Sequence, residues 1–142
     1  MKAKYRKRVN RQPTAPDYRC RLPQGEAGFN TLFKVYRTNS DMRGIGFFLD
    51  KEKFRALTKA NCHYCGQPPS QVQKGTRRDK PNSPWSHYTY SGIDRHVNHL
   101  GYTEFNSVPC CFTCNRAKAN MDPEEFLAWA ARLYRHSVEG MK

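Results

Sequence analysis

Apolar residues are scarce in this sequence, and it contains no long hydrophobic run. Hydrophobic residues make up 37% of the 142 positions, which is thin for a core that must stabilise such a chain unaided. No stretch approaches the ~20 apolar residues that a membrane-spanning helix needs, so we expect no membrane partner. The chain has room for one main core plus arms, and a bound metal would compensate for the missing apolar burial.

Acidic residues are scarce as well. Lys and Arg number 25 against 12 Asp and Glu, which gives a formal net charge of +13. Lys and Arg bind polyanions by releasing counterions from phosphates, so the charge favours DNA as the partner, with RNA as the other option. A basic surface without a specific partner is the competing interpretation. The composition leaves the oligomeric state open.

A secretory leader is the third feature that we do not find. Residues 1–4, Met-Lys-Ala-Lys, lead into no apolar signal-peptide segment. Six cysteines without such a signal favour metal binding over a disulfide framework, because cytosolic thiols are kept reduced. We therefore expect a cytoplasmic, nucleoid-associated protein.

Residues 1–26 are predicted to form a basic, flexible arm. Eight Lys or Arg lie between Lys2 and Arg21, with Asp17 as the one acid, and three prolines oppose regular structure. The segment is either a solvated tail or an arm that follows a phosphate backbone or enters a groove. On the second interpretation, its nucleic-acid contacts include Lys4, Arg6, Lys7, Arg8 and Arg11.

Residues 27–60 are predicted to form an extension of helices and a strand. Apolar residues recur at i, i+3, i+4 and i+7 in the first part of it, which indicates an amphipathic helix over 27–43. A short strand at 47–49 follows. Asp50 suits the N-cap of a second helix, which ends near residue 59.

The second half of the chain is predicted to be rich in loops. We expect a loop over 66–84, a strand over 85–93 and a hairpin turn at 101–102. Residues 122–142 are predicted to form a C-terminal helix that packs on the domain, with Asp122 as its cap and a proline in its first turn. The predicted packing face of this helix consists of Phe126, Trp129, Ala130 and Leu133.

Four cysteines form two C-x-x-C pairs, Cys62 with Cys65 and Cys111 with Cys114. A two-residue gap lets both thiolates of a tight turn reach one ion, at about 2.3 Å for zinc. Two such pairs complete a tetrahedral Zn²⁺ site. The 45 residues between the pairs exceed the ~15–20 of a simple zinc ribbon, so a functional insert must lie between the two halves.

The other thiols and one histidine near the pairs have other interpretations. A redox C-x-x-C needs a thioredoxin-like βαβ context that we do not find here. Cys110 could compete as a ligand, although only Cys111 keeps the two-residue spacing to Cys114. Cys20 is interpreted as a plain thiol, and His63 as a surface residue or a support for the ligands.

The insert carries a distinctive order of motifs: Gly-Ile-Asp-Arg at 92–95, Gly-Tyr at 101–102, and Asn-x-Val-Pro-Cys-Cys-x-x-Cys-Asn at 106–115. In this order the chain resembles the HNH, or ββα-metal, nucleases over roughly residues 45–135. It is similar to the zinc-bound branch common in phages, and its C-x-x-C-N ending is similar to that of the phage junction-resolving endonuclease VII.

The resemblance implies a fold, a cellular setting and a pair of metals. The fold would be α+β, a small zinc-stabilised ββα-metal (HNH) domain over 61–121 with flanking helices and the basic N-terminal arm. The setting would be the cytoplasm of a bacterium or a phage-infected host. A structural Zn²⁺ would be accompanied by a catalytic Mg²⁺ or Mn²⁺, held by an oxygen ligand on the hairpin and a second ligand at the start of the following helix.

The resemblance also implies roles for individual residues. Asp94 and Asn115 match the two ligands of the catalytic ion, and a plain turn former is the alternative for Asp94. Asn106 matches the central Asn, whose side chain braces the hairpin loop. Arg116 and Lys118, near the start of the helix, would contact phosphates, and the alternative is a solvated helix face.

The position after Asp94 departs from the family pattern. Most HNH enzymes have a general-base His there, whereas this sequence has Arg95, whose pKa above ~12 prevents it from accepting a proton. Arg95 could instead clamp a phosphate oxygen or stabilise developing charge. Three possibilities stay open: His96 or His99 is the base, the metal activates water without a protein base, or the site is inactive. His96 suits the chemistry, but neighbouring strand residues point to opposite faces.

The leading hypothesis is an HNH-type, metal-dependent endonuclease that hydrolyses the phosphodiester bonds of DNA. The alternative is a non-catalytic zinc-containing protein that binds DNA or RNA, or a nucleoprotein subunit derived from an HNH fold, and Arg95 and the net charge favour it. A zinc-stabilised protein-interaction domain would explain the cysteines but not the charge. The target sequence or structure is left open.

Overall fold

The computed structural model describes residues 22–75 and 83–140 of the chain. Nearly all of the predicted basic arm lies outside these ranges, and with it lie Cys20 and the expected contacts Lys4, Arg6, Lys7, Arg8 and Arg11. Within the described ranges, none of the helices is long and apolar enough to cross a membrane.

Two helices form one side of the main core. Helix α1 spans Glu26–Met42 and follows Gly25, whose backbone has the left-handed φ of 80° that favours glycine. Helix α2 spans Lys51–Lys59, and the carboxylate of Asp50 caps it by accepting a hydrogen bond from the backbone N–H of Lys53 at 2.7 Å. Both predicted helices and the predicted cap are confirmed.

The main core is largely aromatic. Phe29 and Phe54 are fully buried, with ring centroids 5.9 Å apart, and Phe29 also meets the ring of Tyr88 edge-on at 5.3 Å. Tilted and edge-on pairs of this kind are favourable because of the quadrupole of the rings. The core therefore ties both helices to the strand region, and its other buried members are Leu32, Leu49, Ile93 and Tyr102.

The strands form two separate antiparallel pairs. In the first, β1 (Gln71–Gln73) pairs with β2 (Tyr88–Tyr90), and in the second, β3 (Gly92–Arg95) pairs with β4 (Ser107–Cys110). The loop predicted over 66–84 is therefore wrong at β1. A strand of three residues is too short to show a recognisable alternation of polar and apolar residues. Strand β1 forms because β2 pairs with it through backbone hydrogen bonds.

The strand predicted over 85–93 is divided in two. Pro84–Ser86 form a short 3-10 helix, β2 follows, and the chain leaves the first sheet at Ser91. Ser91 is buried, with its backbone N–H donating to the carbonyl of Thr58 and its hydroxyl to that of Ala60, both at 2.8 Å. Because these bonds anchor Ser91 to the end of α2, the chain passes into the second sheet instead of continuing in the first.

The strand predicted at 47–49 is reduced to an isolated bridge between Phe47 and Tyr102. The N–H of Tyr102 donates to the carbonyl of Gly46 at 2.8 Å, and a Cβ on Gly101 would lie only 2.4 Å from that oxygen. Glycine is therefore required for this close approach. The predicted turn position is confirmed, since Gly101 and Tyr102 lie in the connection between β3 and β4.

The second sheet continues into a helix and so forms a ββα unit. Helix α3 spans Phe112–Lys118, begins directly after β4, and packs against β3. Helix α4 spans Pro123–Glu139, and its start has a capping box in which the side chains of Asp122 and Glu125 bond each other's backbone N–H. The predicted α+β class is confirmed by these helices and the two small sheets.

Helix α4 buries less of its surface than we expected. Phe126 is 5% exposed, Trp129 and Ala130 are half-buried, and Leu133 is 51% exposed. The predicted packing face is therefore wrong at Leu133, because α3, on which α4 packs, is only seven residues long. The limits of the four predicted segments of the chain stay a prediction.

Candidate functional site

Four cysteine sulfurs converge between the turn after α2 and the start of α3. The Sγ atoms of Cys62, Cys65, Cys111 and Cys114 all lie within 4.8 Å of one another, and those of Cys65 and Cys111 are 3.7 Å apart. A tetrahedral zinc site with ~2.3 Å bonds has edges of about 3.8 Å. The four thiols are thus positioned to bind one metal ion, and the geometry matches that of a structural zinc.

The local fold explains why these sulfurs meet. The first pair lies on a tight turn in which Gly66 donates to the carbonyl of Cys62 at 2.9 Å, and Gly66 adopts the left-handed φ of 72°. The second pair begins at the N-cap of α3, where the Cys111 sulfur accepts a hydrogen bond from the backbone N–H of Cys114. Cys110 is fully buried beside the cluster, but it is not one of the four converging ligands.

The thiols differ in how easily they ionise. Burial opposes ionisation of Cys62, but hydrogen bonds from the backbone of Cys111, Cys65 and Tyr64 outweigh it and lower the pKa of this thiol to about 6. Burial, together with bonds to neighbouring thiols, raises the pKa of Cys114 well above its usual range. The cluster therefore forms one thiolate readily and others with difficulty, and a bound cation is what would allow all four to ionise.

The turn of the first cysteine pair is joined directly to the ββα unit. The backbone N–H of His63 donates to the carbonyl of Pro109 on β4 at 2.8 Å, and the hydroxyl of Tyr64 donates to Oδ2 of Asp94 at 2.7 Å. Burial and this bond to Asp94 raise the pKa of Tyr64 above its usual range, so the hydroxyl keeps its proton. Tyr64 is a site residue that the sequence analysis missed, since nothing in its spacing points to Asp94.

Asp94 lies on β3 and is paired with a buried lysine. Asp94 is 6% exposed, and Nζ of Lys118 lies 3.2 Å from its Oδ2 and 3.4 Å from its Oδ1. The same ammonium donates to the backbone carbonyl of Arg95 at 3.3 Å. Asp94 is thus buried and ion-paired on β3. The alternative that we considered for it, a plain turn former, is wrong.

The expected position of Lys118 is wrong. Its side chain is 0% exposed, so it lies neither on a solvated helix face nor where a phosphate could reach it. The reason is the helical repeat, because Cys111, Cys114 and Lys118 recur at three- and four-residue spacing and so share the face of α3 that packs inward. That spacing is the signal from which the burial of Lys118 could have been predicted.

Arg95 points away from Asp94, as neighbouring strand residues do. Its guanidinium Nη1 donates to the carbonyl of Leu100 at 2.8 Å, and its Cζ lies 5.3 Å from the centroid of the Tyr102 ring. The residue is 8% exposed. As placed, Arg95 supports the loop between β3 and β4, which is not the phosphate-clamp position that we expected.

His96 directly follows the end of β3. Its ring is half-buried, its centroid is 5.5 Å from that of His63, and its Nε2 is buried without a hydrogen-bond partner among the described residues. His99, the other candidate base, is exposed in the loop. The ring of His96 thus lies beside the turn of the first cysteine pair, whose Tyr64 bonds Asp94.

Asn106 braces the loop between the strands, as the resemblance implied. Its Oδ1 accepts from the N–H of Val97 at 2.8 Å, and its Nδ2 donates to the carbonyls of Val97 and Gly101 at 3.1 and 3.0 Å. The backbone carbonyl of Asn106 also accepts from the N–H of His96 at 3.0 Å. These hydrogen bonds connect the chain just beyond Asp94 to Asn106, at the other end of the loop.

Asn115 and Arg116 lie on the exposed part of α3. Asn115 is exposed and precedes the buried Lys118 by three residues, so the two are neighbours along α3. Arg116 is exposed, with its Cζ 5.5 Å from the centroid of the Phe112 ring. Metal binding by Asn115 and phosphate contact by Arg116 stay predictions.

Comparisons with known proteins give one sequence relative and one structural neighbour. No family model matches the chain. The sequence is similar to an uncharacterized protein of Acanthamoeba polyphaga mimivirus, with 29% identity over 103 residues; the match covers 70% of this chain and 16% of that protein. The chain thus spans a small part of the length of this relative. The structure is similar to that of the rare-cutting HNH restriction endonuclease PacI, with a TM-score of 0.48 and 22% identity, over 73% of this chain and 80% of the other.

Proposed function

We propose that this protein is an HNH-type, metal-dependent endonuclease that hydrolyses phosphodiester bonds of DNA. The observation that carries the proposal is a carboxylate, Asp94, on the first strand of a ββα unit whose helix begins inside a four-cysteine cluster. The motif order of the insert and the net charge of +13 support it. The zinc-bound phage-type branch, similar to endonuclease VII, is the lineage that the motifs favour.

The cysteine cluster would hold a structural Zn²⁺. All four positions are taken by thiols, so this ion would have no open position for a substrate. It would fix the backbone at Cys114, directly before Asn115, and the turn that carries Tyr64. One ion would then orient both Asn115 and Tyr64, the residue that bonds Asp94.

A divalent ion, Mg²⁺ or Mn²⁺, would be held by Asp94 and Asn115. Carboxylate and amide oxygens suit such ions, which usually combine one or two protein carboxylates with water and substrate phosphates. Such an ion polarises a phosphate oxygen and stabilises the charge that develops there during hydrolysis. The carboxylate of Asp94 is oriented by Tyr64 and Lys118, which both donate to it.

His96 is the residue that we propose as the general base. Its Nε2 has no hydrogen-bond partner within the described ranges, and its ring lies 5.5 Å from that of His63, the neighbour of Tyr64, which bonds Asp94. Imidazole is the side chain that most often accepts a proton from water as a general base. Arg95 is excluded from this role by its chemistry and by its contact with Leu100.

A second candidate function is a non-catalytic module that binds DNA or RNA. One observation favours it: the ammonium of Lys118 already neutralises Asp94, and Arg95 occupies the usual base position. Exposed Arg116 and the basic arm, with Lys4, Arg6, Lys7, Arg8 and Arg11, would then bind phosphates without cleavage.

Plasmid nicking with added Mg²⁺ or Mn²⁺ distinguishes the two functions. The wild type is compared with Asp94→Asn, which keeps the shape of the side chain but removes its charge, and with Asn115→Ala. Asn120→Ala, at an exposed position just after α3, is the matched control. We expect nicking by the wild type and the control, and its loss in the other two. Equal nicking by all four proteins would contradict the proposal. DNA binding by the wild type without nicking would support the second function.

A further inference from the structure

The buried lysine beside Asp94 has a consequence for the charge of the candidate ion site. Lys118 is 0% exposed, and its ammonium contacts both carboxylate oxygens of Asp94. The pair as a whole is neutral, and Asn115, the other proposed ligand, carries no charge. The protein therefore offers a divalent cation a site whose single negative charge is already balanced.

Lys118 is held in place by more than its contact with Asp94. Its ammonium is also bonded to the carbonyl of Arg95, and its side chain is 0% exposed. A cation bound to Asp94 would thus lie near a fixed positive charge. At a buried position this repulsion is screened much less than it would be in water.

Nucleic acid brings the charge that the site lacks. Each phosphate of a bound strand adds one negative charge, and phosphate oxygens are common ligands of Mg²⁺ and Mn²⁺ in enzymes that act on phosphate esters. Resting on the proposed function, we propose that Lys118 couples the two binding events, so that the divalent ion is retained only when a DNA phosphate shares the site. Because coupling of this kind is reciprocal, the ion in turn strengthens the binding of DNA.

Lys118 is thus a positioning residue that sets ion affinity and does not itself touch the substrate. It holds Asp94 in place as an anion, which a neutral residue would not do, and it lowers the affinity of that anion for a free cation. In the absence of nucleic acid, the protein would carry its zinc but little Mg²⁺ or Mn²⁺.

The test is the equilibrium binding of Mn²⁺ to the zinc-loaded full chain, followed by the electron paramagnetic resonance signal of free Mn²⁺. The wild type is titrated alone and with a short DNA duplex, and the duplex alone is subtracted. We expect Mn²⁺ to bind about tenfold or more tightly with DNA than without it, within the usual range of coupling. Lys118→Met is expected to bind Mn²⁺ about tenfold more tightly than the wild type without DNA.

The controls separate this inference from the function on which it rests. Arg132→Met removes one positive charge from an exposed position on α4 and should bind Mn²⁺ like the wild type. Asp94→Asn should abolish the DNA-dependent binding. If Lys118→Met does not fold, as judged by circular dichroism and zinc content, the two wild-type titrations decide the question.

Two outcomes would overturn the inference in different ways. Tight, Asp94-dependent Mn²⁺ binding by the wild type without DNA rejects the coupling and leaves the endonuclease intact. Mn²⁺ binding that does not depend on Asp94 in either condition rejects the ion site, and with it both the proposed function and the role of Lys118.

Discussion

Replacing Asn106 with Ala is expected to destabilise the protein by about 2–3 kcal/mol. The residue is 5% exposed, and its side chain makes three hydrogen bonds to the backbone of Val97 and Gly101. Each bond of this kind contributes about 0.5–1.5 kcal/mol net. Removing Asn106 leaves the N–H of Val97 and the carbonyl of Gly101 without their partner, whereas the carbonyl of Val97 keeps its bond from the N–H of Leu100. Val97 is 39% exposed, so water can restore part of the loss. For a chain of this size the expected decrease in Tm is roughly 8–12 °C.

The assay is thermal unfolding followed by circular dichroism, with excess Zn²⁺ so that metal occupancy is the same in each variant. Asn98→Ala is the matched control, since Asn98 lies in the same loop but makes a single exposed hydrogen bond, to the carbonyl of Asn120 at 2.9 Å. Asn98→Ala is expected to lower the free energy of unfolding by no more than about 0.5 kcal/mol. If the two variants melt within ~2 °C of each other, Asn106 does not brace the loop and the reasoning is refuted.

Two further predictions concern the cysteine cluster and the proposed base. Cys111→Ser is expected to lose the bound zinc and to have a lower Tm, because Cys111 is both a proposed ligand and the N-cap of α3. The control Cys110→Ser should keep its zinc. Equal loss of metal from both variants, measured by mass spectrometry, would contradict the proposed ligand set. His96→Ala is expected to slow nicking by about 100-fold or more, a typical effect of removing a general base, with DNA affinity unchanged in fluorescence anisotropy. An effect of that size in His99→Ala and not in His96→Ala would transfer the role to His99.

Short-range signals in the sequence predicted the helices well. Asp50 and Asp122 bond to backbone groups three residues ahead, so the caps depend on local spacing alone. The apolar stripe of α1 has the same local character, and its residue Phe29 is fully buried as a core residue should be. At Leu133 the same kind of stripe failed, because burial requires a partner surface and α3 is too short to supply one.

The strands were harder to predict because their limits are set by distant residues. Ser91 ends the first sheet through bonds to Thr58 and Ala60, about thirty positions earlier in the chain. The short strand β1 depends on its pairing with β2, and the bridge at Phe47 depends on Tyr102. Local propensity carries little information about such pairings.

The candidate site combines both kinds of information. Two C-x-x-C pairs predict a metal cluster from spacing alone, because the chemistry of thiolates leaves few other uses for that pattern. The contacts of Asp94 with Tyr64 and Lys118 join residues that are 30 and 24 positions apart in the chain, and no local sequence pattern predicts them. For Arg95, the residue type alone excludes the role of general base. Its contact with Leu100, in contrast, depends on how the loop folds back and could not be predicted from the sequence.

The cysteine pairs, the helix caps, the order of the motifs in the insert and the arginine at position 95 could all be interpreted from the sequence by itself. These features follow from residue chemistry and from spacings of a few positions. Only the tertiary structure decided that Lys118 is buried against Asp94, that Arg95 braces a loop, and that the ring of His96 lies beside that of His63. The physical reason is that the environment of a charge depends on which elements pack around it, and β3 and α3 meet only in the folded chain.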